Sequence, residues 1–347
     1  MVFWYLLILV VSLVGFRISP TGFYPDYLGK EQCNSIKGIF IMLVYLGHVI
    51  VDIKYCGYIS SKWVDSAAFV FFKEMGQLVV AMFLFYSGYG VMRSLITKGS
   101  AYIVTFPKRR ILTTLVNFDI AVCAFIVLDV VLGKRMSLSK IALSFIGWDS
   151  IGNSNWYIFV ILCCYLAFYV AFRVVRSHYS LGALVLSLIL FAGMLFLYRF
   201  KSHIWYDTML VFPAGVYYAL YAKRIEAVIQ KRYVLSLILL LLAFIALRSL
   251  FHFHPLHGLT HNFKAIVFSL FIVIVTMKVH IGNKWLFWCG FSLFPLYIYQ
   301  RLPMYAIRGW AGDAWVCENA HLFIGACFLV TVGISLLYNK YLRIKLD

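Results

Sequence analysis

The 347-residue chain is 63% hydrophobic and only 13% charged, with a mean hydropathy of +0.90. An ordinary soluble domain carries about a quarter charged residues, so these values exclude that class and point to a polytopic membrane protein. The formal net charge of +18 does not indicate a nucleic-acid partner: the Lys and Arg residues fall in short clusters between apolar runs, as in loops facing anionic lipid.

In chain order, Val2 to Phe16 is a short apolar run with Arg17 after it and no basic residue ahead. A signal peptide has its charge on the other side, so this run is expected to be an uncleaved first span. A connection with Pro20 and Pro25 leads to the run Ser35 to Ile50, SIKGIFIMLVYLGHVI. Further spans are expected at about Gln77 to Leu95, Ile111 to Leu132, Trp156 to Val175, Leu181 to Leu197, Trp205 to Tyr221, Tyr233 to Leu250, Phe263 to Met277, Trp285 to Leu302 and His321 to Tyr338. The expected fold is therefore an all-α polytopic transmembrane helix bundle of about eleven spans, a ten-helix core plus one extra N-terminal span, forming one membrane domain. Trp156, Trp205, Trp285 and Trp288 fall at span ends, which suits interfacial anchoring.

Loop charge sets the expected orientation. With the segment before Lys37 inside, the inner side collects Arg17, Lys30, Lys98, Lys108, Arg109, Arg110 and the tail Lys340, Arg343 and Lys345 among others. The outer side collects a shorter set that includes Lys54, Lys62, Lys73, Lys134 and Lys201. This favours an outer N-terminus and a cytoplasmic C-terminus. The eight cysteines form no CxxC pair and mostly lie in apolar runs, so they read as packing residues.

Lys37 and His48 stand out because both lie in one apolar helical run. Eleven residues at about 1.5 Å each separate them by roughly 16 Å, so with Lys37 at one bilayer face His48 lies near mid-membrane. A histidine there is either a proton-handling group or one satisfied by a hydrogen bond between helices. Asp119, Asp129 and Asp207 could each pair with a cation from a neighbouring helix or hold the imidazole in one tautomer, and Asp52, one helical turn on, shares the face of His48 and is another candidate. Lys108, Arg109 and Arg110 form a cationic patch that can bind phosphates, although charge alone favours reading it as a plain topology signal. Phe85 to Gly90, FYSGYG, reads as close helix packing through Ser and Gly. Asn155-Trp156-Tyr157 and Trp205-Tyr206-Asp207 each open a span, either as the mouth of a sugar site or as belt residues. His252, His254, His257 and His261 are closely spaced, but Pro255 and Gly258 break any common helical face and no carboxylate or cysteine sits among them. No metal site is expected there. No GxSxG, Walker loop or dinucleotide fingerprint is present.

The basic residue, ten residues and histidine of SIKGIFIMLVYLGHVI resemble the opening helix of the integral-membrane acyltransferase-3 family. FLFYSGYGVM resembles its aromatic Ser-Gly-Tyr segment, YIVTFPKRRI its Arg-bearing turn, Asn155-Trp156-Tyr157 its tryptophan-bearing middle span, and FSLFPLYIYQRLPM its late helix. The match runs in order from about Lys30 to Met304. Lys37 stands where that family usually has arginine, and Gln300 where a late histidine is common.

The resemblance implies O-acyl transfer, usually of acetyl from acetyl-CoA as a substrate rather than a permanently bound cofactor, onto a hydroxyl of a surface or lipid-linked glycan. It implies a multi-pass protein of the bacterial cytoplasmic membrane, with acyl-CoA, the glycan and membrane lipid as partners. On this reading His48 and Asp52 are catalytic. Lys37, Lys108, Arg109 and Arg110 bind the donor, and Tyr89, Asn155, Trp156, Tyr206 and Gln300 bind the acceptor. Two rivals are a transporter or flippase of a lipid-linked sugar, for which no internal repeat of broken helices is visible, and a structural or sensory membrane protein.

Overall fold

The computed structural model describes residues 1–56, 70–71, 75–250 and 257–346. Lys62, Lys73, His252 and His254, used above for topology and metal arguments, lie outside the described residues. Among those described, eight helices are long and apolar enough to cross a membrane: α2 (Lys30–Tyr55), α3 (Leu78–Lys98), α4 (Ser100–Val131), α6 (Asn155–Val175), α7 (Tyr179–Phe200), α9 (Tyr233–Leu250), α10 (His257–Thr276) and α14 (Ala320–Leu342). The expected all-α polytopic bundle is the observed architecture. Helix α5 (Leu138–Phe145) is short, and α8 (Val211–Lys231) completes the packing beside α3.

Three expected spans differ in detail. Helix α1 (Val2–Leu13) has twelve residues, about 18 Å, which is shorter than a hydrocarbon core of about 30 Å. It leads into a short strand, Phe16–Ile18, paired antiparallel with Val279–Ile281. The run from Trp205 opens as a 3-10 turn, His203–Trp205, and its helix begins only at Val211, with Pro213 in the first turn where its missing N–H is harmless. The run Trp285 to Leu302 is not one helix: α11 (Lys284–Phe291) stops at Ser292, followed by α12 (Leu293–Tyr299) and α13 (Arg301–Glu318). Pro295, which lacks an N–H, sits in the first turn of α12.

Two reciprocal glycine contacts fix the centre of the bundle. A Cβ on Gly38 of α2 would strike the backbone carbonyl of Leu286, and one on Gly290 of α11 would strike that of Asn34. Likewise Gly88 of α3 meets the carbonyl of Phe212, and Gly215 of α8 that of Phe85. These backbone approaches need residues without side chains, the usual device for drawing helices together where lipid removes most of the hydrophobic drive. The expected small-residue packing of FYSGYG is thus observed, and it seats α3 firmly between α2 and α8.

Candidate active site

Two of the clefts among the described residues lie toward opposite ends of α2. The first, about 450 Å³, is lined by Lys30, Asn34 and Lys37 of α2, Ser87 of α3, Arg110 of α4 and Arg343 of the C-terminal segment, with Tyr157, Tyr165 and Tyr297 on its walls. The second, about 300 Å³, is lined by Gly47 and His48 of α2, Gln77 and Val80 at the start of α3, Trp156, Ile204 and again Tyr297. Helices α3 and α6 cross both in the order that their residues require: Gln77 then Ser87, and Trp156 then Tyr165. Among the described residues, Tyr297 alone lines both clefts. Its ring centroid is 6.3 Å from that of His48 and 5.2 Å from that of Tyr157, so one aromatic side chain is the partition.

In the first cleft, Lys37 makes no ion pair with any described residue, and its Nζ lies 5.7 Å from the ring centroid of Tyr86. Arg343 reaches the cleft because Asn117 of α4 clamps the tail: its Nδ2 donates to the Ile344 carbonyl at 2.8 Å, and its Oδ1 accepts from Ile344 N at 3.1 Å. The Tyr338 hydroxyl donates to the same Oδ1. Lys108, Arg109 and Arg110 are all exposed on a π-helical turn, Pro107–Leu112, but of the three Arg110 alone lines the cleft. Four cations, with no acidic residue among the described lining side chains, give this cleft a charge that suits a multiply charged anion.

In the second cleft, the polar neighbour of His48 is Ser154, whose Oγ lies 3.5 Å from Nδ1, a long contact. The Tyr297 phenol approaches the same serine without a formed hydrogen bond. Asn155 sets this arrangement from below: its side chain donates to the Gly147 carbonyl at 2.7 Å and so holds the loop that presents Ser154. Of the other described lining side chains Gln77 is polar and the rest are apolar or aromatic, so little polar surface faces the imidazole.

Several expected roles change. Asp52 does not hold the imidazole: its Oδ1 lies 3.8 Å from both Arg301 and Arg308, two guanidiniums delivered by α13. Sharing a helical face with His48 was not enough once two cations competed for the carboxylate. Gln300 is fully buried, donates to the Tyr297 carbonyl at 2.8 Å, and lines neither cleft. Tyr89 packs edge-on against Tyr218, which shares a hydrogen bond of 2.7 Å with Tyr27, away from the His48 cleft. Tyr206 packs on Tyr198 and against Gly258. Only Trp156 of the expected acceptor set faces the His48 cleft. Trp205 is buried, not an interfacial anchor: with Trp148 it cages Lys201, whose Nζ lies 4.5 and 4.0 Å from the two ring centroids. Asp129 pairs with Lys134 at 3.1 Å and Asp207 with His203 at 3.0 Å, so neither serves His48. Sequence reading missed Ser154, Tyr297, Asn117 and Arg343, since each acts through a partner distant in sequence.

A family model for the acyltransferase domain of the acyltransferase-3 type matches residues 30–340. The chain belongs to that family. No curated protein and no solved structure matches it. This multi-pass membrane acyltransferase therefore carries its family match across both clefts, from Lys30 at the cationic end to the tail beside Arg343. The extra helix α1 lies ahead of the matched region.

Proposed function

We propose that the protein is a membrane O-acyltransferase that moves an acyl group, acetyl in the first instance, from acyl-CoA to a hydroxyl of a surface or lipid-linked glycan. The observation that carries this reading is the adjacency of a cleft lined by Lys30, Lys37, Arg110 and Arg343 to the His48 cleft, with Tyr297 between them. The cations hold the nucleotide phosphates of the donor, Arg in a planar fork and Lys as a point charge. The acyl thioester extends past Tyr297 toward His48. The acceptor hydroxyl enters the opposite cleft beside Trp156.

In the reacting step, His48 takes the hydroxyl proton as the acceptor oxygen bonds to the thioester carbonyl carbon. The carbon–sulfur bond then breaks, the acyl ester stays with the glycan, and the proton on His48 passes to the departing thiolate to give free CoA. Ser154 at Nδ1 orients the ring. The positive ends, with Arg343 and Lys37, face the cytoplasm on this reading, matching the excess of loop cations. Purified protein in lipid discs, given acetyl-CoA and a surface-glycan extract, is expected to release CoA thiol only when the glycan is present, with an acetyl increment on the glycan by mass spectrometry. Intact acetyl-CoA under these conditions, with the glycan unchanged, overturns the reading.

A further inference from the structure

We propose that His203, Asp207 and His257 form a binding site for one divalent cation of the zinc class. Their ligand atoms all lie within 4.8 Å of one another. The turn His203–Trp205 and the residues that follow supply the first two, and the start of α10 supplies His257. Two imidazoles and one carboxylate with a further position open are a donor set suited to zinc and its transition-metal neighbours, not to magnesium or calcium, which take oxygen. The separation of 3.0 Å between His203 Nδ1 and Asp207 Oδ2 is close to the edge of a tetrahedron with bonds of about 2.0–2.1 Å. The longest ligand separation, which involves His257, must close by roughly 1.5 Å through movement of the His257 side chain at the start of α10 or of His203, 56% exposed on a short turn.

Asp207 provides the independent observation. Its side chain is 1% exposed, and Oδ1 has no hydrogen-bond partner among the described residues. A buried anionic oxygen without a donor is costly, and a bound cation beside the carboxylate removes that cost. The surrounding scaffold is already braced. His261 Nδ1 lies 3.0 Å from the Asp207 carbonyl oxygen, while the Asn262 side chain accepts from Leu210 N at 2.8 Å and donates to the Tyr206 carbonyl at 2.9 Å. Such outer contacts hold ligands in register. The loop histidines alone lacked a carboxylate; folding brings Asp207 to His257 from the preceding connection. Ile204, next to His203, lines the His48 cleft, so a cation here would stiffen that wall.

The test uses full-length, tag-free protein in detergent, incubated with zinc chloride, desalted and assayed for metal. About one zinc per chain is expected, with a rise in Tm, and no such effect from magnesium chloride. His203→Ala and His257→Ala are each expected to weaken zinc binding at least tenfold in competition with a chromogenic chelator, and His203→Ala to abolish the Tm rise. No zinc above the detergent blank in the unaltered protein, or unaltered affinity in His203→Ala, overturns the proposal. Should His257→Ala fail to fold, the exposed His203→Ala variant decides by itself.

Discussion

The two clefts differ in what their walls can bind. One gathers four cations and no carboxylate around about 450 Å³; the other surrounds a single imidazole with Gly47, Val80, Trp156 and Ile204 in about 300 Å³. The first suits an anion that must be held, the second a proton transfer that must be kept dry. A phosphate-bearing donor and a neutral hydroxyl make these opposite demands. On the proposed function, joining them at one aromatic side chain would let the same bundle meet both.

The sharpest way to break the contrast is to remove the imidazole. His48→Ala is expected to lower the rate of acyl transfer by about 10²–10⁴-fold while leaving acyl-CoA binding within twofold, measured by single-turnover kinetics and by equilibrium binding. Equal loss of both would merge the two clefts into one function. Next, Arg110→Ala is expected to weaken acyl-CoA binding by roughly tenfold or more, the scale of a lost charge-assisted phosphate contact, whereas Arg109→Ala changes it little because that side chain lies outside the cleft. Equal effects of the two would mean that the patch acts by bulk charge. Opening the partition tests the seam itself: Tyr297→Ala is expected to raise acyl-CoA hydrolysis several-fold without any acceptor, as water gains the thioester, with Tyr297→Phe close to the unaltered protein.

The smallest effect belongs outside both clefts. Arg308 Nε donates to Asp313 Oδ1 at 2.7 Å, and this hydrogen bond holds the Asp313 carboxyl below the usual carboxylate range. A depressed folded value means that the stabilisation is present above the unfolded value of about 4 and fades as the pH falls through the folded one. Asp313→Asn should therefore lower Tm slightly at pH 7, and the difference should shrink as the pH is taken down toward 3, with neither cleft's binding altered. A difference that persists unchanged at low pH would assign the effect to something other than this charge.

What could be read in advance followed from local pattern. The long apolar runs, the Lys37 to His48 spacing and the Gly-bearing segment of α3 are periodicities and composition within one stretch of chain, and the helices formed there. The Asp52 assignment failed for the opposite reason. Its spacing from His48 was right, but Arg301 and Arg308 arrive from α13, more than two hundred residues away, and no local rule weighs such competitors. The late run around Pro295 misled in the same manner: its hydropathy is continuous, while its backbone leaves the helix at Ser292.

The sequence by itself determined that this protein lies in a membrane as a helix bundle, with a cation and a histidine on one helix, because hydropathy and helical rise are properties of consecutive residues. Only the tertiary structure decided that Arg343 joins Lys37, that Ser154 rather than Asp52 meets His48, and that Tyr297 stands between the two clefts. Those pairings depend on which helices touch, and here that is set by backbone contacts at Gly38, Gly290, Gly88 and Gly215, whose partners lie far along the chain.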